Sequence, residues 1–162
     1  MNNGLICCFT GHRTIEQSHA ESLVRLTDDA IEKMIKRGVT VFRNGGAVGF
    51  DTLAALKVIE KKKKYPHIRL EMYLPCKEQS KKWNDFSKAV YEFVLTHADS
   101  IRYVSEEYTP HCMLDRNKKM IEGCDYCIVY RLNSSGGTAF TVEHAKRLGV
   151  RILNLGDMLS KA

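Results

Sequence analysis

The feature that most constrains this chain is a rhythm. Six short apolar runs alternate with longer stretches whose apolar residues recur at helical spacing. The runs are Leu5–Phe9, Val39–Arg43, Ile68–Leu74, Ser100–Val104, Tyr126–Tyr130 and Val150–Leu155. The intervening stretches run from about Glu21 to Arg37, Asp51 to Lys63, Trp83 to Ala98, Cys112 to Glu122 and Thr138 to Leu148. In the first of them Leu23, Leu26, Ala30, Ile31, Met34 and Ile35 trace one face of a helix. Ser18 and Glu21 have capping-box spacing at its start. Strand–helix alternation of this kind needs crossover connections, which build a mostly parallel sheet covered on both faces. The expectation is a Rossmann-like three-layer α/β/α sandwich.

The chain has 162 residues, enough for one domain with a closed core. No repeat or linker divides it, so residues 1–162 read as one domain. The first apolar run is too short for an export signal, and no segment approaches a membrane span. The expected location is the cytoplasm. In a reducing compartment the six cysteines read as free buried thiols rather than disulfides. Cys124 and Cys127 have metal-ligand spacing but no second pair, and His111 adjoins Cys112, so no metal site is expected. Cys76 and Cys112 are conceivable nucleophiles with no base fixed by spacing.

The formal charge of +6 favours anionic partners. Part of it is the run Lys61–Lys64, which reads as the solvated, dipole-complementing end of a helix.

Parallel sheets bind ligands beyond the carboxyl ends of their strands, and three loops there carry suitable chemistry. Gly45, Gly46 and Gly49, followed by Asp51, lie between a strand and a helix. Glycines permit a tight turn and close approach of a phosphate, and helix-start N–H groups then face it. The pattern is neither a Walker motif nor GxGxxG. Asp51 reads as a helix cap, a contact to a sugar hydroxyl, or both. Thr10, Gly11, His12 and Arg13 follow the first strand; Arg13 can grip a phosphate with its planar fork. His12 reads as a donor, an acid–base group or a plain loop histidine. Ser134 and Ser135 with Gly136, Gly137 and Thr138 form the third loop, in which Thr138 can also be a simple N-cap. Arg116 and Asn117 follow Asp115 in the first turns of a helix, where a cation is out of place electrostatically; Arg116 reads as an anion contact or as one half of a surface salt bridge. Gln79 and Trp83 read as the border of a base pocket or, for Trp83, as core packing.

Taken in order, several motifs resemble the YpsA-like branch of the SLOG superfamily. They are Cys8–Arg13, Gly45–Ala55, Tyr65–Pro66, Leu74–Cys76 with Gln79 and Trp83, Arg116–Asn117 with Met120, and Gly136–Val142. The resemblance covers nearly the whole chain. It implies a Rossmann-like fold that binds nucleotides or nucleotide-derived ligands. Two further branches differ in what they imply. LOG proteins are phosphoribohydrolases whose signature is a double glycine, then Gly-Thr, then a glutamate three residues after the threonine; here Gly136-Gly137-Thr138 looks similar, but the nearest glutamate, Glu143, lies five after Thr138. The DNA-processing protein A family, similar around Gly46–Asp51, binds single-stranded DNA; this chain lacks interleaved aromatic and basic residues for base stacking.

The leading expectation is a sensor or regulatory module for a small phosphate-bearing ligand. Thr10, Gly11, His12, Arg13, Gly45, Gly46, Gly49, Asp51, Arg116, Asn117, Gly136, Gly137 and Thr138 would form its site. No cofactor is required, self-association is open, and nucleic acid is not favoured. The alternatives are an N-glycosidase, with Glu143, Asp51 and Arg116 as candidate catalytic groups, and single-stranded DNA binding.

Overall fold

A computed structural model describes residues 4–132 and 136–159. Its strands are β1 (Leu5–Gly11), β2 (Val39–Asn44), β3 (Arg69–Leu74), β4 (Ser100–Tyr103), β5 (Tyr126–Tyr130) and β6 (Arg151–Asn154). Its helices are α1 (Ala20–Lys36), α2 (Phe50–Lys62), α3 (Asp85–His97), α4 (Cys112–Ile121), α5 (Gly137–Arg147) and α6 (Leu155–Leu159). The strands pair in the order β4-β3-β2-β1-β5-β6, and every pairing is parallel. The expected α/β sandwich is therefore what the chain adopts.

Each strand feeds both faces of the sheet because successive side chains point opposite ways. Cys7 and Phe9 join the core under α1, α2, α3 and α6, while Cys8 joins the core under α4 and α5. Phe9 stacks on Phe42 with centroids 5.9 Å apart and meets Phe50 edge-on at 6.3 Å. All three rings are fully buried, each contributing about 1.5–3 kcal/mol relative to exposure. This aromatic triple anchors the ends of β1 and β2 and the start of α2, which are the elements that frame the site.

The chain reverses its direction of growth across the sheet between β1 and β5. Loops on either side of such a reversal diverge and leave a crevice beyond the strand ends. Strand β1 runs on through Thr10 and Gly11, beyond the expected end at Phe9, because they pair with Val129 and Tyr130. That extension brings His12 and Arg13 to the rim of the crevice.

Two local expectations change. Helix α1 starts at Ala20, and its cap residue His19 makes no side-chain cap bond. The backbone at Gln17–His19 already curls into a short 3-10 turn, so the Ser18–Glu21 box does not form. Helix α3 starts at Asp85 rather than Trp83, because the Asn84 side chain accepts the Ser87 N–H and caps it. The lysine run is embedded in ion pairs. Lys61 meets Asp28 and Glu32 at 3.1 Å each, Lys64 meets Glu32 at 3.2 Å, and Lys62 pairs with Asp99. All six cysteines are buried free thiols. Among the described residues no helix is long and apolar enough to cross a membrane, and no group of side chains could hold a metal.

A candidate phosphate cleft at the sheet reversal

A cleft of about 260 Å³ opens beyond the ends of β1 and β5. Thr10, Gly11, His12 and Arg13 line it from one side, Arg116 and Asn117 from α4, and Gly137 and Thr138 from α5. Ala47 and Asp51 are the parts of the Gly45 turn that reach it. Three loops that are distant in sequence thus share one site.

The Gly45 turn has internal reasons for its glycines. Asn44, fully buried at the end of β2, accepts the Gly46 N–H and donates to the Asp51 carbonyl, both at 2.8 Å. Thr52 donates to the Ala47 carbonyl at 2.8 Å. A Cβ at Gly45 would sit 2.5 Å from the Arg116 guanidinium. Gly49 has φ +85°, and a Cβ there would strike the Arg13 carbonyl. The Phe50 N–H donates to the His12 carbonyl at 3.1 Å, and the Ala47 N–H donates to Asp51 at 3.2 Å. The first N–H of α2, that of Phe50, is therefore already taken by a protein carbonyl. Gly45, Gly46 and Gly49 shape the wall of the cleft without lining it.

Helix α5 begins differently. A Cβ at Gly136 or Gly137 would meet nothing within 4 Å among the described residues. The first-turn N–H groups of a helix have no intrahelical acceptor, and here they start at a cleft wall. Gly136, with φ +92°, is the cap residue, so Thr138 sits inside the first turn rather than at the N-cap. Ser134 and Ser135 lie outside the described residues.

The charges converge on the same space. Arg116 is only 4% exposed. Its side chain donates to the Gly45 carbonyl and, at 2.7 Å, to Asn117 Oδ1. Arg116 Nη2 lies 3.9 Å from Met113 Sδ, and Arg13 Nη2 lies 3.7 Å from the same sulfur. Among the described residues neither arginine forms a direct ion pair. Burial works against the Arg116 charge, and the nearby Asp51 carboxylate supports it. Asp51 is 6% exposed. Its Oδ1 is buried and has no hydrogen-bond partner among the described residues. Burial pushes its carboxyl up to about 6, with Arg116, the Ala47 N–H and Arg13 pulling the other way. Asp51 is thus a wall carboxylate with one buried oxygen unpaired among the described residues, and it does not occupy the α2 N-cap, which is Gly49.

His12 has a structural task. Its Nε2 lies 2.9 Å from the Leu132 N–H. A backbone N–H can only donate, so Nε2 must be the unprotonated acceptor. The His12 N–H donates to the Tyr130 carbonyl at 3.2 Å. The residue therefore stitches the β1 loop to the β5 loop. Burial, together with Arg131, lowers its pKa against the pull of Glu16.

Glu143 is not at the site. Its carboxylate lies 3.5 Å from Lys146 and 3.9 Å from Arg131, with the side chain 55% exposed. Asp51 is the only one of the two carboxylate candidates that lines the cleft. Cys76 and Cys112 are fully buried, and burial raises the Cys76 thiol pKa, which disfavours a reactive thiolate. Sequence reasoning missed Asn44, whose only signal is an amide side chain at a strand end before two glycines. It also missed Met113, which reads as an ordinary apolar helix position.

Residues 7–151 match the YspA SLOG family. The chain belongs to that family. It is 34% identical over 130 residues to the uncharacterized SPbeta prophage-derived protein YoqJ of Bacillus subtilis, covering 72% of this chain and 76% of YoqJ. It is 28% identical over 132 residues to a UPF0398 protein of Bacillus anthracis, covering 75% and 72%. Among solved structures, DNA processing protein A from Helicobacter pylori, described for its single-stranded DNA binding, superposes with a TM-score of 0.64 at 18% identity. The match covers 92% of this chain but only 64% of the H. pylori chain, and at that identity it establishes the shared fold.

Proposed function

We propose that the cleft binds the phosphate of a nucleotide or nucleotide-derived ligand, and that the protein acts as a sensor or regulatory module for it. One observation carries this reading: Arg13 and Arg116 flank one cleft without an ion-pair partner among the described residues, and Gly137 and Thr138 at the start of α5 line the same cleft. A buried guanidinium without a paired anion is costly, and a phosphate would supply that anion through charge-assisted bonds. The α5 N–H groups and helix dipole favour the same charge. Asp51 Oδ1 would accept from a sugar hydroxyl. Titration calorimetry with ADP-ribose, NAD, AMP and cyclic nucleotides tests the reading. At least one should give saturable heat, and Arg13→Ala should weaken it by about 1.5–3 kcal/mol, roughly tenfold to a hundredfold. The absence of saturable heat with all of them, in folded protein, contradicts it.

A second reading follows from Asp51. A cleft carboxyl held at about 6 beside a guanidinium has the character of an acid–base group for N-glycosidic cleavage. Release of free base from a nucleoside monophosphate, abolished in Asp51→Asn, would support it. Single-stranded DNA binding, the property named for the H. pylori relative, is the remaining alternative. It predicts salt-dependent retention in a gel shift.

A further inference from the structure

A second hollow adjoins the cleft. It has a volume of about 580 Å³ and shares Arg13 and Met113 with the first. Gln79, Trp83, Tyr108 and Lys82 form its remaining wall that matters here. Gln79 is 9% exposed. Its Nε2 faces the Gly45 carbonyl at 3.4 Å and the Tyr91 hydroxyl at 3.3 Å. A carbonyl can only accept, so the amide cannot turn its oxygen that way. Gln79 lines the hollow, and its Oε1 is left buried without a partner among the described residues. Trp83 meets Tyr91 edge-on at 5.1 Å and is partly buried. Tyr108 is 64% exposed and offers a second ring.

We infer that this hollow receives the amino-bearing base of a nucleotide whose phosphate lies on Arg13. The inference rests on the phosphate reading of the cleft and extends it to the ligand's other end. An orphaned buried acceptor selects a donor, and the exocyclic amine of adenine or cytosine is one. Ring faces on the same wall accept a planar base by stacking. Arg13, common to both hollows, places the phosphate at the junction. The rest of the ligand, a further phosphate and sugar, then extends along Arg116 and the start of α5 toward Asp51. The matching ligand class is a two-armed nucleotide with a diphosphate at its centre and an amino base at one end.

Trp83 is the single tryptophan of the chain, so its fluorescence reports on this hollow directly. The experiment titrates the wild-type protein with ADP-ribose, inosine diphosphate ribose and ribose 5-phosphate, following both heat and Trp83 emission. ADP-ribose should change the emission and bind about tenfold more tightly than the inosine analogue, whose keto group meets Gln79 Oε1 with a like dipole. Ribose 5-phosphate should leave the emission unchanged. Gln79→Leu, checked for folding by circular dichroism, should remove the preference for the amino base. Equal affinities for the two diphosphate riboses with unchanged Trp83 emission would overturn the base hollow and leave the phosphate cleft standing. No heat from any of the three would remove both.

Discussion

The Arg116 guanidinium donates to the Gly45 carbonyl across 71 positions of sequence, and the missing Cβ of Gly45 is what lets it lie there. The same contact ties α4 to the β2 turn and sets the guanidinium in the wall of the cleft. Gly45→Ala should therefore force Arg116 aside. The expected result is a destabilisation of about 1–3 kcal/mol in chemical denaturation, with nucleotide affinity reduced in the folded fraction. A variant as stable as wild type would show that the contact does not constrain either group.

Asp51 makes stability depend on pH. Its folded pKa of about 6 lies above the ordinary 3.8, so the native state holds this proton more tightly than the unfolded chain. The associated stability is fully present below about pH 4 and is lost as the pH rises through about 6. Converted at face value, the shift is worth about 3 kcal/mol, an upper bound. Asp51→Asn keeps an acceptor for the Ala47 N–H and removes the buried charge. It should gain stability at pH 7.5 and little at pH 4, measured by urea denaturation at both. Loss of stability at both pH values contradicts this account of the residue.

The order of elements was legible because each strand is a short apolar run and each long helix carries a clear period. The parallel sheet follows from that alternation. Helix α6 was not legible: five residues are too few to show a period, and Leu155 reads as the end of a strand. The candidate cleft was legible as three loops. What each loop does was not, because their roles are set by partners far away in sequence. The Gly45 turn looks like a phosphate loop, yet its glycines answer to Arg116, Arg13 and the core. The Gly136–Thr138 turn looks weaker, yet its glycines meet no neighbour among the described residues. Glu143 looks like a displaced catalytic glutamate, and its helical offset turns it toward Arg131 and Lys146 instead.

His12 bonds the Leu132 N–H only while Nε2 is unprotonated. Its folded pKa is lowered, so the stability it contributes is present above the unfolded value near 6.5 and is lost as the pH falls through the folded one. Nitrogen-detected NMR should find the Nδ1–H tautomer at pH 7.5 and a titration below that of a free histidine. A cationic ring at pH 7.5 would contradict the assignment.

Glu143→Ala should change little. Its ion pairs are exposed, and such pairs contribute about 0–1 kcal/mol. Melting temperature and nucleotide affinity should stay near wild type. A large loss of binding or of any base-releasing activity would return Glu143 to the site.

The central claim is that the phosphate sits at the start of α5, between Arg13 and Arg116, rather than inside the Gly45 turn. Gly137→Asp tests it most directly by calorimetry with ADP-ribose beside a thermal melt. A Cβ there meets nothing among the described residues, and an acid in the first turn of a helix is stabilising, so the melting temperature should not fall. The added carboxylate should repel the phosphate and weaken binding by about tenfold or more, a cost of at least ~1.4 kcal/mol. Undiminished affinity in a folded Gly137→Asp protein would contradict the account.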